Sequence, residues 1–229
     1  MAKRHRKTII ALVSITLVLS IAACAKNEQK SGENETAKAV TAELSDAEMT
    51  SLMKQVAEND VSKSYGDYLK DEAFADAEIF GIDRDGDQGT AYAYLYDGEY
   101  VVFKDKAYEM SGSAGEVMIK FTYDDDDVTL SEVVWSADGG EHEGWMKENF
   151  PAEYLKKAKN YKAYDSNGRS ILGSKVNEIV EGALGVPVET ENLLMIDTDK
   201  GTYELIKTIN GADGTFDTET LESGNLKDL

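Results

Sequence analysis

The stretch TAYAYLYDGEYVVF, residues 90–103, decides the fold. Over 90–96 small and large side chains alternate. Tyr92, Tyr94 and Tyr96 fall on one face, and Ala91, Ala93 and Leu95 on the other, because successive residues of a strand point to opposite sides. Asp97-Gly98 has the chemistry of a two-residue hairpin turn. The expectation is two antiparallel strands, 90–96 and 99–103.

The same pattern extends outward. Residues 77–82 form a candidate strand before Asp83-Arg84-Asp85-Gly86-Asp87, whose Asp and Gly residues predict a turn. On the other side, strands at 116–123 and 128–135 flank the four aspartates 124–127, another predicted turn. Short period-two segments joined by turns predict an antiparallel meander.

Helices flank the meander. Ser45-Asp46-Ala47-Glu48 is a capping-box pattern, in which Ser and Glu satisfy each other's backbone N–H groups. Met49, Leu52, Met53, Val56 and Ala57 then share one helical face, which continues to Val61 and Tyr65, with Gly66 as a stop. After the meander, Trp145, Met146, Phe150, Tyr154, Leu155 and Ala158 predict a second helix, with Pro151 in a first turn or marking a restart. Ile171, Leu172, Val176, Ile179, Val180 and Ala183 predict a third, closed by Gly185 and Pro187. Residues 193–196 and 203–209 predict a C-terminal hairpin, and the polar residues 211–229 a loose tail. Strands grouped together rather than alternating with helices mean α+β. The expected fold is an antiparallel sheet of about four strands plus a C-terminal hairpin, with an N-terminal helix and two further helices packed on one face. A leading helix on a meander is similar to the cystatin-like and nuclear-transport-factor-like cones.

The N-terminus carries a different message. Lys3, Arg4, Arg6 and Lys7 precede an apolar run of 15 residues, 9–23. A basic region, a short apolar run and small residues before a cut mark a secretory signal, and a spanning helix needs about 20 residues. Ile21-Ala22-Ala23-Cys24 resembles a lipobox, the cleavage-site tetrapeptide of bacterial lipoproteins. The resemblance implies removal of residues 1–23 and lipidation of Cys24, leaving the chain anchored in the membrane on its extracytoplasmic face. Two acyl chains at about 0.8 kcal/mol per buried methylene hold a protein stably where one does not. Cys24 is the only cysteine, so the exported domain would rely on its core rather than on internal disulfides. Residues 24–43 read as a polar tether reaching about 25 Å, and residues 44–210 as a single domain.

The chain has 24 Lys and Arg against 44 Asp and Glu, a formal charge of −20. Such a balance repels phosphate backbones, so nucleic acid is not an expected partner. Calcium is admitted by Asp83, Asp85 and Asp87, which resemble the opening of an EF-hand loop. That loop requires Gly at its sixth position and Glu at its twelfth; here these are Gln88 and Tyr94, so a hairpin turn is the stronger reading. Gly168 to Lys175 misses the phosphate-loop order, since Ser174 stands between Gly173 and Lys175. Ser51-Leu52-Met53-Lys54 fits a Ser-x-x-Lys motif without its partner motifs. His142 is the only histidine after the leader, and Glu141-His142-Glu143 lacks the second His of a zinc-protease helix, so His142 reads as an exposed loop residue. The tyrosine row Tyr92, Tyr94 and Tyr96 could line a ligand groove or could be ordinary strand packing.

One longer resemblance concerns residues 128–159. Their strand, the acidic-glycine loop around Asp138-Gly139-Gly140, and a helix with a Phe150-Pro151 step resemble the extracytoplasmic domain attached to some BlaR-type membrane metallopeptidases of Gram-positive bacteria. The resemblance implies a non-catalytic sensory or binding module, with a membrane sensor or peptidase as partner. Three functions follow: a lipid-anchored binding, sensory or accessory module; a hydrolase working through paired carboxylates; or a structural or inhibitory surface protein. A cleft with facing carboxylates favours the second, a tyrosine-lined open sheet the first, and a smooth surface the third.

Overall fold

A computed structural model describes residues 40–59, 69–124, 127–210 and 216–228. The leader, Cys24 and most of the tether lie outside the described residues, as do Val61, Tyr65 and Gly66. Among the described residues no helix is long and apolar enough to cross a membrane.

The expected α+β fold is present. The main sheet is antiparallel, with strands β1 (Val40–Thr41), β2 (Asp71–Asp85), β3 (Gln88–Phe103), β4 (Lys106–Asp124) and β5 (Asp127–Trp135) adjacent in chain order. Helix α1 (Asp46–Asn59) precedes β2. Helices α2 (His142–Asn149), α3 (Ala152–Asn160) and α4 (Ile171–Leu184) follow β5. A second sheet holds β6 (Asn192–Asp197), β7 (Thr202–Asn210) and β8 (Phe216–Asn225), in that order.

Local signals account for much of this. Ser45 and Glu48 form the capping box: Ser45 N–H donates to Glu48 Oε2 at 2.7 Å, and Glu48 N–H donates to Ser45 Oγ at 3.3 Å. Gly86 at φ 64° lies in the two-residue turn that joins Asp85 to its partner Gln88, as residues 83–87 predicted. Pro151 marks a restart: α2 ends before Phe150, and α3 begins after Pro151. Ser170 caps α4 by accepting Gly173 N–H at 3.0 Å, and Gly185 closes it at φ 71°. The phosphate-loop look-alike is thus a helix start.

Four expectations are corrected. Asp97-Gly98 is no turn. The strand β3 runs through it, paired on both sides, with Asp97 opposite Ala75 and Ser113, and Gly98 opposite Phe74 and Gly112. Two flanking strands supply more backbone hydrogen bonds than a local turn can. Gly98 is needed for another reason: a Cβ there would lie 2.9 Å from the Tyr100 ring. The polar tail is not loose. Residues 216–225 add a third strand to the expected hairpin, and Leu226 is buried with Val101 and Phe103. Helices also cover both faces of the main sheet rather than one, with α1 on one face and α3 and α4 on the other. His142, read as an exposed loop residue, opens α2 with its ring Nε2 3.0 Å from Glu116 Oε2.

Ala91, Ala93 and Leu95 meet Leu52, Met53, Val56 and Ala57 of α1, and the two alanines let the helix approach closely. Tyr92 and Tyr94 lie in a cluster with Phe150 and Tyr154, while Tyr96 and Tyr100 pack with Val176 and Val180 of α4. Past Gly98, the α1-facing side continues as Val101 and Phe103, which the second sheet covers through Leu194 and Tyr203. On that face, polar residues occupy the interval between α1 and the second sheet. They are Asp97 and Glu99 on β3 and their register partners Ser113 and Ser111 on β4.

Candidate functional site

Strand β2 stands nearly at the rim of the main sheet. Its only described neighbour on the outer side is β1, which pairs with Asp83 and Arg84 alone; beyond it, Ala42 N–H donates to Ile82 O at 3.2 Å. The register gives the orientation of the remaining backbone groups. Val102 N–H donates to Lys70 O, so positions 70, 72, 74, 76 and 78 exchange hydrogen bonds with β3, since an antiparallel ladder alternates. The N–H and C=O groups of Asp71, Ala73, Ala75, Ala77 and Ile79 therefore point away from β3. A bulge at Phe80 resets this alternation, and Lys157 Nζ on α3 donates to Phe80 O at 2.5 Å, closing the edge there.

Beside this open edge is a cleft of about 990 Å³. Its α1 wall carries Met49, Met53 and Ala57. Its floor is β2 from Asp71 to Asp76, and Ile179 of α4 closes the other side. A volume of that size is at the upper end of small-molecule sites. A smaller cavity of about 110 Å³ shares Ala57 and Ala73 with it and reaches Asp97, Glu99, Ser111 and Ser113.

Glu99 is 6% exposed. Burial raises its carboxyl pKa above the ordinary value. A hydrogen bond from Ser111 Oγ at 3.3 Å works against that rise, and the neighbouring Asp71 carboxyl adds to it. Asp71 Oδ2 and Glu99 Oε1 are both buried, and neither has an N–H or O–H donor among the described residues. Asp71 lines the larger cleft and Glu99 the smaller cavity beside it, so two neighbouring carboxyls stand on β2 and β3 with buried oxygens that lack donors.

The tyrosine row lies elsewhere and is roofed over. Tyr92 packs 5.1 Å from Phe150 and 5.3 Å from Tyr154, measured between ring centres. Tyr94 lies 5.2 Å from Tyr161. Tyr96 donates to Glu109 Oε1 at 2.7 Å, and a Cβ on Gly173 of α4 would come within 3.0 Å of its ring. Burial pushes the Tyr92 and Tyr94 hydroxyls up to about 12. The three side chains are brought together as the seat of α3 and α4, not as an open groove. Of the two readings of this row, that placement fits strand packing.

Asp83, Asp85 and Asp87 lie at the β2–β3 turn. Asp83 Oδ1 accepts the Tyr154 hydroxyl at 3.0 Å, Gln88 donates to Asp87 at 3.4 Å, and Arg84 Nε donates to Gly86 O at 2.8 Å. Among the described residues no group of three or more His, Cys, Asp or Glu side chains could hold a metal ion. The Ser-x-x-Lys pair is split between a hydrogen bond of Ser51 with Gln55 and an ion pair of Lys54 with Glu58.

Sequence reasoning missed Asp71, Ala73, Ala75 and Glu99. The alternation at 90–96, carried through Asp97-Gly98, places Asp97 and Glu99 on the same face as Leu95 and Val101. Acids at inward positions of a strand were the available signal. The chain matches no protein-family model, no curated protein and no solved structure.

Proposed function

We propose that this protein is a lipid-anchored, extracytoplasmic binding module and that the cleft between α1 and the open edge of β2 receives its ligand. The cleft carries the proposal: about 990 Å³, with apolar Met49 and Met53 on one side and, on the other, backbone groups of β2 that have no strand partner among the described residues. Such a surface supplies contact area and directional hydrogen bonds together. The lipobox-like Ile21-Ala22-Ala23-Cys24 supports the anchored location. The likeness of residues 128–159 to BlaR-associated domains supports a sensory or accessory role beside a membrane sensor or peptidase.

The hydrolase reading is favoured by one observation, the neighbouring Asp71 and Glu99 carboxyls. Paired carboxyls in different surroundings can act as acid and base. Binding is preferred, because Glu99 lines the smaller cavity of about 110 Å³ and not the cleft of about 990 Å³.

The test uses the full-length protein in a bacterial envelope, with a photo-crosslinking residue at Thr50 on the cleft wall or at Glu219 on β8. The reading expects an adduct from position 50 and none from 219. Identical results at the two positions would count against it. Cys24→Ala should release the protein from the membrane fraction; retention with the leader removed would end the anchoring claim.

A further inference from the structure

Building on the binding role of the cleft, we infer that its ligand is an extended peptide in which apolar and cationic side chains alternate, bound by adding a strand to the free edge of β2.

The backbone specifies the extended form. Asp71, Ala73 and Ala75 turn their N–H and C=O groups toward the cleft, at the roughly 6.8 Å repeat of alternate residues in a strand. A row of unpaired strand groups recognises another extended backbone and little else. The first half of β2, from Asp71 to Ile79, is regular, so an added strand has an unbroken template.

The two sides of β2 then specify the two kinds of side chain. On the α1 side, an added strand would face Met49, Met53 and Ala57 above Ala73 and Ala75, an apolar surface. On the α4 side stand Glu72, Asp76 and Glu78, with Phe74 on β2 between the first two and Ile179 of α4 lining the same cleft. Glu72 is paired with Lys70. Asp76 and Glu78 have no ion-pair partner among the described residues, and their charges are felt by Tyr161, whose hydroxyl pKa burial has already raised. Lysine or arginine stems could lie along Phe74 and Ile179 while their charged ends reach Asp76 and Glu78. A strand's period of two matches one apolar and one acidic wall without a residue out of phase. A second copy of this chain is a poor occupant, because its own β2 would bring acids against acids and its charge of −20 opposes contact.

Edge acids also serve to keep strands apart, and the experiment separates the two roles. The probe is fluorescein-labelled Lys-Val-Lys-Val-Lys-Val-Lys, titrated by anisotropy against the domain from residue 25 onward. Its counterpart replaces every Lys with Glu. The inference expects saturable binding of the Lys peptide, at least tenfold weaker binding of the Glu peptide, and an affinity that falls with salt. Ala75→Pro removes an N–H that points outward and none from the β2–β3 ladder, as is tolerated on edge strands; it should weaken binding at least tenfold while leaving the circular dichroism spectrum unchanged. If that variant does not fold, a peptide N-methylated at its central valine serves the same purpose and should lose tenfold. Asp76→Lys with Glu78→Lys should reverse the peptide preference. Equal affinity for both peptides, indifference to both backbone blocks, or no binding at 1 mM overturns the inference. A persisting Thr50 adduct in that case leaves the cleft's binding role standing with a different ligand; loss of both would remove the two together.

Discussion

Glu99→Gln should make this protein more stable at neutral pH and leave it unchanged in acid. In the native protein, Glu99 Oε1 and Asp71 Oδ2 are buried without donors. A glutamine supplies what is missing. Its amide N–H₂ can donate to Asp71, and its carbonyl oxygen can accept from Ser111, which already reaches position 99 at 3.3 Å. Relieving an unsatisfied buried group is worth about 1–3 kcal/mol. The pH dependence follows from the raised carboxyl pKa of Glu99. The unfolded chain releases this proton near the ordinary value of 4.5, while the native chain holds it to higher pH. Above 4.5 the native state therefore binds more protons, and native stability falls as pH rises through the raised value. The glutamine variant has no such slope. Urea unfolding of both proteins at pH 4 and pH 7, compared at equal m-value, should give no difference at pH 4 and a gain of about 1–3 kcal/mol at pH 7. A variant less stable than the parent at pH 7, or a gain equal at both pH values, would refute the raised carboxyl pKa of Glu99.

Other consequences can be checked by similar means. A Cβ at Gly81 would lie 2.0 Å from the Tyr154 ring, so Gly81→Ala should cost about 2–4 kcal/mol by displacing that ring and its bond to Asp83. In a Tyr154→Ala background the same change should be nearly neutral, and a double-mutant cycle with no coupling would contradict the contact. Glu189 is buried, which opposes its ionisation, but Lys106 at 2.5 Å and backbone donors overcome this and hold its pKa down to about 2. Its contribution is therefore full above the unfolded value of 4.5 and is lost as pH falls toward 2. Glu189→Gln should cost about 2 kcal/mol at pH 7 and progressively less in acid denaturation curves below pH 4.5.

The sequence by itself determined those features whose causes are local. The capping box at Ser45 and Glu48, the turn at Gly86-Asp87, the restart at Pro151 and the αL stop at Gly185 each depend on a few neighbouring residues, and each was readable. So was the facial split of Ala91, Ala93 and Leu95 from Tyr92, Tyr94 and Tyr96, because the strand period is intrinsic. Which face would be covered was not readable, since that depends on helices arriving from elsewhere in the chain. Asp97-Gly98 satisfies a turn's local preferences, yet two long neighbouring strands outbid them with backbone hydrogen bonds. Residues 216–225 look like a solvated tail because their side chains are polar, and only the edge of β7 makes a strand of them. The site belongs wholly to this second kind. Asp71 and Glu99 are 28 positions apart in the sequence, and register alone brings them together. The free edge of β2 exists because β1 is two residues long and stops at Asp83. An unpaired edge is a relation between strands, and no residue carries it alone.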